Sequence, residues 1–123
     1  MEVLIKSKKL PSRKVTLCVR TKLCEMNILD HISFSPDKPN VHYITKNERI
    51  TCFAVALGNG AVLKKHSTPV PATLIVLKGE INFVFADREY VLRAYDTFEI
   101  PADEIHEVFG ITDQNLFLVT QQF

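Results

Sequence analysis

Two histidines, His66 and His106, are the residues of this sequence whose type and spacing best suit chemistry. Each follows a glycine or a proline at a short distance: Gly60 precedes His66 by six positions, and Pro101 precedes His106 by five. A neutral imidazole nitrogen binds divalent metals and accepts hydrogen bonds. The two positions lie far apart in the sequence, so they form one site only if the fold brings them together.

The elements that the pattern predicts after residue 30 are strands. Short runs rich in β-branched and aromatic residues recur, separated by turn-forming residues such as those at 58–60. Within 81–85, Ile81, Phe83 and Phe85 alternate with Asn82 and Val84, which is the period of two of a strand. Further strands are predicted at 41–45, 49–57, 72–77, 90–93, 98–100, 106–109 and 116–120. At least seven short strands indicate an all-β sandwich or closed barrel, whereas residues 11–29 leave strand and helix open.

Five residues with fixed spacing then make the chain resemble the cupin superfamily. Its first signature is Gly, five residues, His-x-His, three or four residues, Glu, six residues, Gly. Its second is Gly, five residues, Pro-x-Gly, two residues, His, three residues, Asn. The matching residues here are Gly60, His66, Gly79, Pro101 and His106. The resemblance covers about residues 41–120 and implies a single-domain, all-β, cupin-type jelly-roll barrel.

The departures from these signatures concern the family's metal site. Cupins of this type hold an ion with three histidines and one carboxylate, but the second histidine is Thr68 here and the glutamate is Ala72. The remaining ligands, His66 and His106, supply two neutral nitrogens and no anion, whereas catalytic zinc sites usually keep three protein ligands. We therefore expect either no cofactor or a weakly bound divalent metal such as iron, manganese, zinc or nickel. Three positions of the second signature also differ: Tyr95, Asp103 and Gly110.

The resemblance also implies where a pocket would lie. Side chains two apart on a strand share a face, so His66 and Thr68 are expected to point into the barrel, with His106 entering from a neighbouring strand. The predicted ligand-binding pocket consists of His66, Thr68, Ala72, Leu74, His106 and Val108. Barrels of this size enclose at most one small ligand.

Three functions remain open at this point. The first is a binding protein for a small organic ligand, neutral or anionic, with no catalytic residue assigned. The second is a metal-dependent enzyme of the dioxygenase or sugar isomerase or epimerase type, with His66 and His106 as ligands. The third is a regulatory sensor barrel that acts through a partner. Small cupins are commonly homodimers, so the resemblance implies a homodimer here.

Charge and cysteine content limit which partners and which cellular compartment are expected. Residues 1–25 hold seven Lys or Arg and two Glu, and we interpret them as a basic N-terminal extension, disordered or non-native, with residues 26–123 as the barrel. A nucleic-acid arm, an organellar targeting segment and a misread start before Met26 are the alternatives. The barrel is acidic and has no basic stripe, so nucleic acid is not expected as a partner. No apolar run is long enough for a membrane helix or a secretory signal, and three cysteines without a CxxC pair favour the cytoplasm.

The remaining candidates have ordinary interpretations. Cys52 could face the interior as a soft third ligand, but a small buried hydrophobe is the commoner role of a free cysteine. The three phenylalanines Phe83, Phe85 and Phe98 are predicted core residues. Strand alternation turns Glu107 outward, and Glu104 is expected to contact solvent. Both His31 and His42 lie outside the two signatures and are expected at the surface or an edge.

Overall fold

The computed structural model describes residues 26–123, so the predictions for the basic extension lie outside the described residues. A short 3-10 helix, Ile28–Asp30, precedes nine strands. They are β1 (Asn40–Lys46), β2 (Ile50–Leu57), β3 (Val62–His66), β4 (Ala72–Lys78), β5 (Glu80–Phe85), β6 (Glu89–Arg93), β7 (Thr97–Ile100), β8 (His106–Gly110) and β9 (Asn115–Gln122). The predicted strands are confirmed, and β3 is an addition to them. Within residues 26–123, no helix has the length and apolarity needed to cross a bilayer.

The strands form two antiparallel sheets. One sheet has five strands in the order β1-β2-β9-β4-β7, and the other has four in the order β3-β8-β5-β6. Neighbouring strands in both sheets are mostly distant in sequence, for example β2 beside β9 and β5 beside β8. This arrangement is the jelly-roll fold that the sequence predicts.

The core lies between the two sheets, because each strand directs every second side chain inward. Along β5 the exposure alternates residue by residue, and Ile81, Phe83 and Phe85 are its buried members. The prediction of Phe83, Phe85 and Phe98 as core residues is confirmed, since the first two are buried and Phe98 packs against the same cluster. The inward residues of the facing sheet are Val55, Leu57, Leu74, Val76, Phe117 and Val119.

A second apolar cluster explains why β2 and β9 are apolar on both faces. Ala54 and Ala56 of β2 and Leu116 of β9 are buried on the outer face of the five-stranded sheet. Ile28, Ile32 and Phe34 of the segment before β1 pack against them, together with Leu77 and Leu118. Because Cys52 is two residues before Ala54 on the same strand, it belongs to this outer face, where its sulfur accepts a hydrogen bond from the Thr120 hydroxyl. The idea of Cys52 as an inward-facing ligand is therefore wrong.

Asn115 joins the strands at the end of the barrel away from the histidines. Its side chain is fully buried, and its Nδ2 donates to the carbonyls of Leu57 at 2.9 Å and Thr112 at 2.7 Å. Its Oδ1 accepts from the backbone N–H of Glu80 at 2.9 Å and from both the N–H and the hydroxyl of Thr112. Gly79 has a positive φ of 77° beside this side chain, and a Cβ there would collide with Asn115 Oδ1 and the Gln114 carbonyl. Gly79, the second glycine of the first signature, is thus required because its φ is positive and because there is no room for a Cβ.

We expect Asn115→Ala to lower the free energy of unfolding by about 2–4 kcal/mol, because it leaves several buried backbone groups without partners. Urea denaturation followed by circular dichroism measures this loss. The control is Asn59→Ala, which removes an exposed side chain with one 3.3 Å hydrogen bond to Asp113 and should cost less than about 0.5 kcal/mol. Equal losses in the two variants would contradict the role of Asn115.

Candidate functional site

An extra residue in β3 determines which way His66 points. Leu63 pairs with Val108 and His66 pairs with His106, so β3 advances three residues while β8 advances two. Leu63 packs against the core, and in a regular strand the residue three positions later would face outward. The bulge restores His66 to the inward side, opposite His106.

The two predicted histidines are brought together. Their ring centroids lie 4.4 Å apart, with an angle of 67° between the ring planes. His106 is 3% exposed and stacks on Phe83 at 4.8 Å, whereas His66 is half-buried. The pair therefore lies where the aromatic core ends and solvent begins.

Backbone carbonyls fix the protonation of one nitrogen on each ring. His66 Nδ1 lies 2.7 Å from the Lys64 carbonyl oxygen, and His106 Nδ1 lies 3.0 Å from that of Glu104. Because a carbonyl oxygen only accepts, each Nδ1 must carry the hydrogen and donate it. In the neutral form of either ring, Nε2 then keeps a lone pair for a ligand.

The environment of His106 favours its neutral form. Burial lowers the pKa of His106 below its usual range, and the nearby His66 acts in the same direction. The hydrogen bond to the Glu104 carbonyl and the charge of the Glu104 carboxylate oppose this effect. The net result is a depressed pKa, so His106 acts as a hydrogen-bond acceptor at neutral pH.

An ion pair between Arg88 and Glu104, which the sequence did not reveal, supports the position of His106 from outside strand β8. Arg88, in the turn between β5 and β6, donates from Nη1 to Glu104 Oε2 at 2.7 Å and from Nη2 to Glu104 Oε1 at 3.0 Å. Its guanidinium also lies 3.9 Å from the centroid of the Phe85 ring. The Arg88 guanidinium lowers the pKa of the Glu104 carboxyl. Glu104 is thus a paired residue whose carbonyl positions His106, in addition to its contact with solvent.

The other predicted pocket residues do not line an open cavity with the histidines. Ala72, Leu74 and Val108 are at most 1% exposed and belong to the packed core. Strand β3 ends at His66, so the same-face argument for Thr68 is wrong, and its hydroxyl instead donates to the Val70 carbonyl at 2.7 Å. Glu107 pairs with Val84 on the outward side of its sheet, which confirms the prediction from alternation.

Space for a ligand lies on either side of the pair instead. One groove of about 590 Å³ contains His66, and a pocket of about 410 Å³ contains His106. The groove runs between the loop before β1 and strand β3; its lining is Asp37, Lys38, Pro39, Val62, Leu63, Lys64, Lys65 and His66. The pocket is lined by Lys65, Val84, Phe85, Ala86, Ile105, His106 and Glu107.

The donor set does not suit a tightly bound divalent metal. Among residues 26–123, no group of three or more His, Cys, Asp or Glu side chains is arranged to hold an ion. His66 and His106 supply two imidazole nitrogens, and the carboxylate of Glu104, two residues before His106, is engaged by Arg88. Two neutral ligands leave the charge of a divalent ion uncompensated, so the residues present do not fit the family's metal.

The depressed pKa of His106 predicts a pH-dependent stability. Between that pKa and about 6.5, the unfolded chain binds more protons than the folded chain, so the free energy of unfolding falls on acidification. Urea denaturation between about pH 8 and about pH 5 should show this fall in the wild type and a smaller one in His106→Gln. This pH range lies above the range in which Glu104 titrates, because the pKa of the Glu104 carboxyl is lowered from 4.5. Parallel pH profiles for the two proteins would contradict the neutral, buried imidazole.

The Arg88–Glu104 ion pair predicts a local effect on the segment before β8. In Arg88→Ala, we expect faster hydrogen–deuterium exchange of backbone amides at 102–106, because Glu104 loses both of its hydrogen bonds. Arg88→Lys should restore protection only in part, since an ammonium cannot form the two parallel bonds. Arg93→Ala, on the next strand, serves as the control. Unchanged exchange at 102–106 in Arg88→Ala would show that the ion pair does not hold this segment.

The comparisons with known proteins agree with this fold. The sequence pattern of the family described as Cupin domain (Cupin_2) matches residues 53–120. No curated protein matches the chain. A cupin superfamily protein (DSY2733) from Desulfitobacterium hafniense DCB-2 is similar with a TM-score of 0.72 and 16% identity, over 94% of this chain and 96% of that one. At this identity the likeness concerns the fold alone.

Two further solved structures are also similar in fold. A conserved protein of unknown function (SPY1581) from Streptococcus pyogenes has a TM-score of 0.68 and 16% identity, over 80% of this chain and 87% of that one. An RmlC-like cupin protein from Desulfovibrio desulfuricans has a TM-score of 0.67 and 20% identity, over 79% and 94%. With the family's pattern matching more than half of the sequence on a jelly-roll fold, the chain belongs to the cupin superfamily.

Proposed function

We propose that this protein binds a small organic ligand at the histidine end of the barrel, through His66 and His106 and without a tightly held metal. The observation that carries the proposal is the arrangement of the imidazoles. Both Nδ1 atoms are engaged by backbone carbonyls, the rings are 4.4 Å apart, and both Nε2 atoms are left as acceptors. Two convergent polar groups beside apolar surface are typical of a small-molecule site.

The chemistry of these groups indicates what the ligand would offer. A neutral Nε2 accepts a hydrogen bond, so the matching ligand group is a donor such as a hydroxyl. The floor of the adjoining groove contributes Pro39, Val62 and Leu63, which suit an apolar part of the ligand. The groove volume of about 590 Å³ lies within the range of small-molecule sites. Hydroxylated organic molecules are therefore the class that this site would bind best.

Two expectations about the whole protein accompany this proposal. A homodimer follows from the family resemblance, and a cytoplasmic location follows from the cysteine content. A metal-dependent enzyme with His66 and His106 as ligands is the competing function, and it requires ion binding that the donor set does not favour.

Metal content and ligand binding test the proposal together. Protein purified without a nickel column should contain far less than one equivalent of iron, manganese, zinc or nickel by elemental analysis. A thermal-shift screen of polyols and hydroxy acids should identify binders, with affinities measured by calorimetry. His66→Ala and His106→Ala should each weaken binding roughly 2- to 10-fold, the effect of one lost hydrogen bond.

The matched control is His42→Ala, which changes a histidine that stacks on His31 at 5.2 Å, outside the proposed site. This variant should bind the same molecules with unchanged affinity. Near-stoichiometric metal that is lost in both His66→Ala and His106→Ala would favour the enzyme instead. Binding that is unaffected by either substitution would overturn the proposed site.

A further inference from the structure

The groove beside His66 carries a concentration of positive charge. We call it the lysine groove: Lys38 from the loop before β1, with Lys64 and Lys65 from β3, around the apolar floor of Val62 and Leu63. Its volume is about 590 Å³, and His66 is part of its lining. The lysine groove therefore adjoins the proposed ligand site directly.

Two of the three lysines of the groove lie within the bulge of β3. Lys64 and Lys65 are the residues between the pairs Leu63–Val108 and His66–His106. Both Lys64 and Lys65 are exposed and both line the lysine groove, next to the histidine that the same bulge turns inward.

The charge of the lysine groove runs against that of the rest of the barrel. Residues 26–123 contain eight Lys or Arg and twelve Asp or Glu, a formal charge of −4. Three of those eight cations line this one groove, where Asp37 is the single carboxylate of the described lining. The local positive charge attracts an anion to the groove, whereas the negative charge of the rest of the domain repels it.

We propose that the lysine groove binds the carboxylate of an organic acid, whose apolar body lies on Val62 and Leu63 and whose far end reaches His66. This inference rests on the proposed function and narrows the ligand to hydroxylated carboxylic acids. A carboxylate is preferred to a phosphate, since the greater negative charge of a phosphate costs more to desolvate beside the apolar residues Val62 and Leu63. Compact ammonium groups on flexible stems suit a single anionic group at the edge of an apolar surface.

A pair of matched probes tests the preference for a carboxylate. 4-Fluorobenzoate and 4-fluorobenzamide have nearly the same size and shape and differ in charge, and fluorine NMR reports the binding of each. At low ionic strength, wild-type protein should bind the benzoate more tightly than the benzamide, and added salt should reduce the difference. The double variant Lys64→Gln/Lys65→Gln should weaken benzoate binding about tenfold and leave benzamide unchanged.

The control variant is Lys46→Gln/Lys78→Gln, which removes two lysines that lie over the rings of Tyr43 and Phe34, outside the groove. It changes the net charge equally and should retain benzoate binding. Phenyl phosphate is the third probe. Tighter binding of phenyl phosphate than of benzoate, equal binding of benzoate and benzamide, no benzoate binding up to its solubility limit, or equal losses in both double variants would overturn the inference.

The histidine variants separate this inference from the function on which it rests. If benzoate binding depends on Lys64 and Lys65 while no hydroxylated ligand of the thermal-shift screen depends on His66 or His106, the lysine groove is an anion site and the proposed histidine site fails. If the hydroxylated ligands of the thermal-shift screen depend on the histidines but benzoate shows no lysine dependence, the histidine site stands and the carboxylate assignment fails.

Discussion

The candidate site depends on one extra residue in an edge strand. Between Leu63 and His66, β3 advances one residue further than β8, and this bulge turns His66 toward His106. A regular β3 would direct His66 to the outside of the sheet. The same backbone irregularity thus creates the histidine pair and contains Lys64 and Lys65 of the lysine groove.

Neighbouring groups then fix the orientation of the two imidazole rings. His106 lies against the aromatic core, and the Glu104 carbonyl fixes its Nδ1, while Arg88 holds Glu104 through two hydrogen bonds. The Lys64 carbonyl fixes the corresponding nitrogen of His66. Both rings therefore present Nε2 in a set orientation, which reduces the conformational entropy lost when a ligand binds. The packed phenylalanines behind them confine such a ligand to the histidine end of the barrel.

Much of the fold could be predicted from the sequence, because the information is local. The alternation of Ile81, Phe83 and Phe85 determines a strand. The meeting of His66 and His106 could be predicted only through the family resemblance. The bulge could not, because it depends on how β3 pairs with a strand some 40 residues later, and neither could the Arg88–Glu104 ion pair, whose members are 16 residues apart. The interpretation of Thr68 failed for the same reason: its strand ends at His66, where pairing with β8 stops.

The central claim is that two imidazoles, each donating from Nδ1 to a backbone carbonyl, offer Nε2 to a ligand. Nitrogen NMR of protein with ¹⁵N-labelled histidine, at alkaline pH, reports the protonated nitrogen of each ring directly. The account predicts that Nδ1 carries the hydrogen in both His66 and His106, and that Nε2 has the chemical shift of an unprotonated, metal-free nitrogen. Protonated Nε2 on either ring, or a metal-bound Nε2 shift in the purified protein, would contradict it.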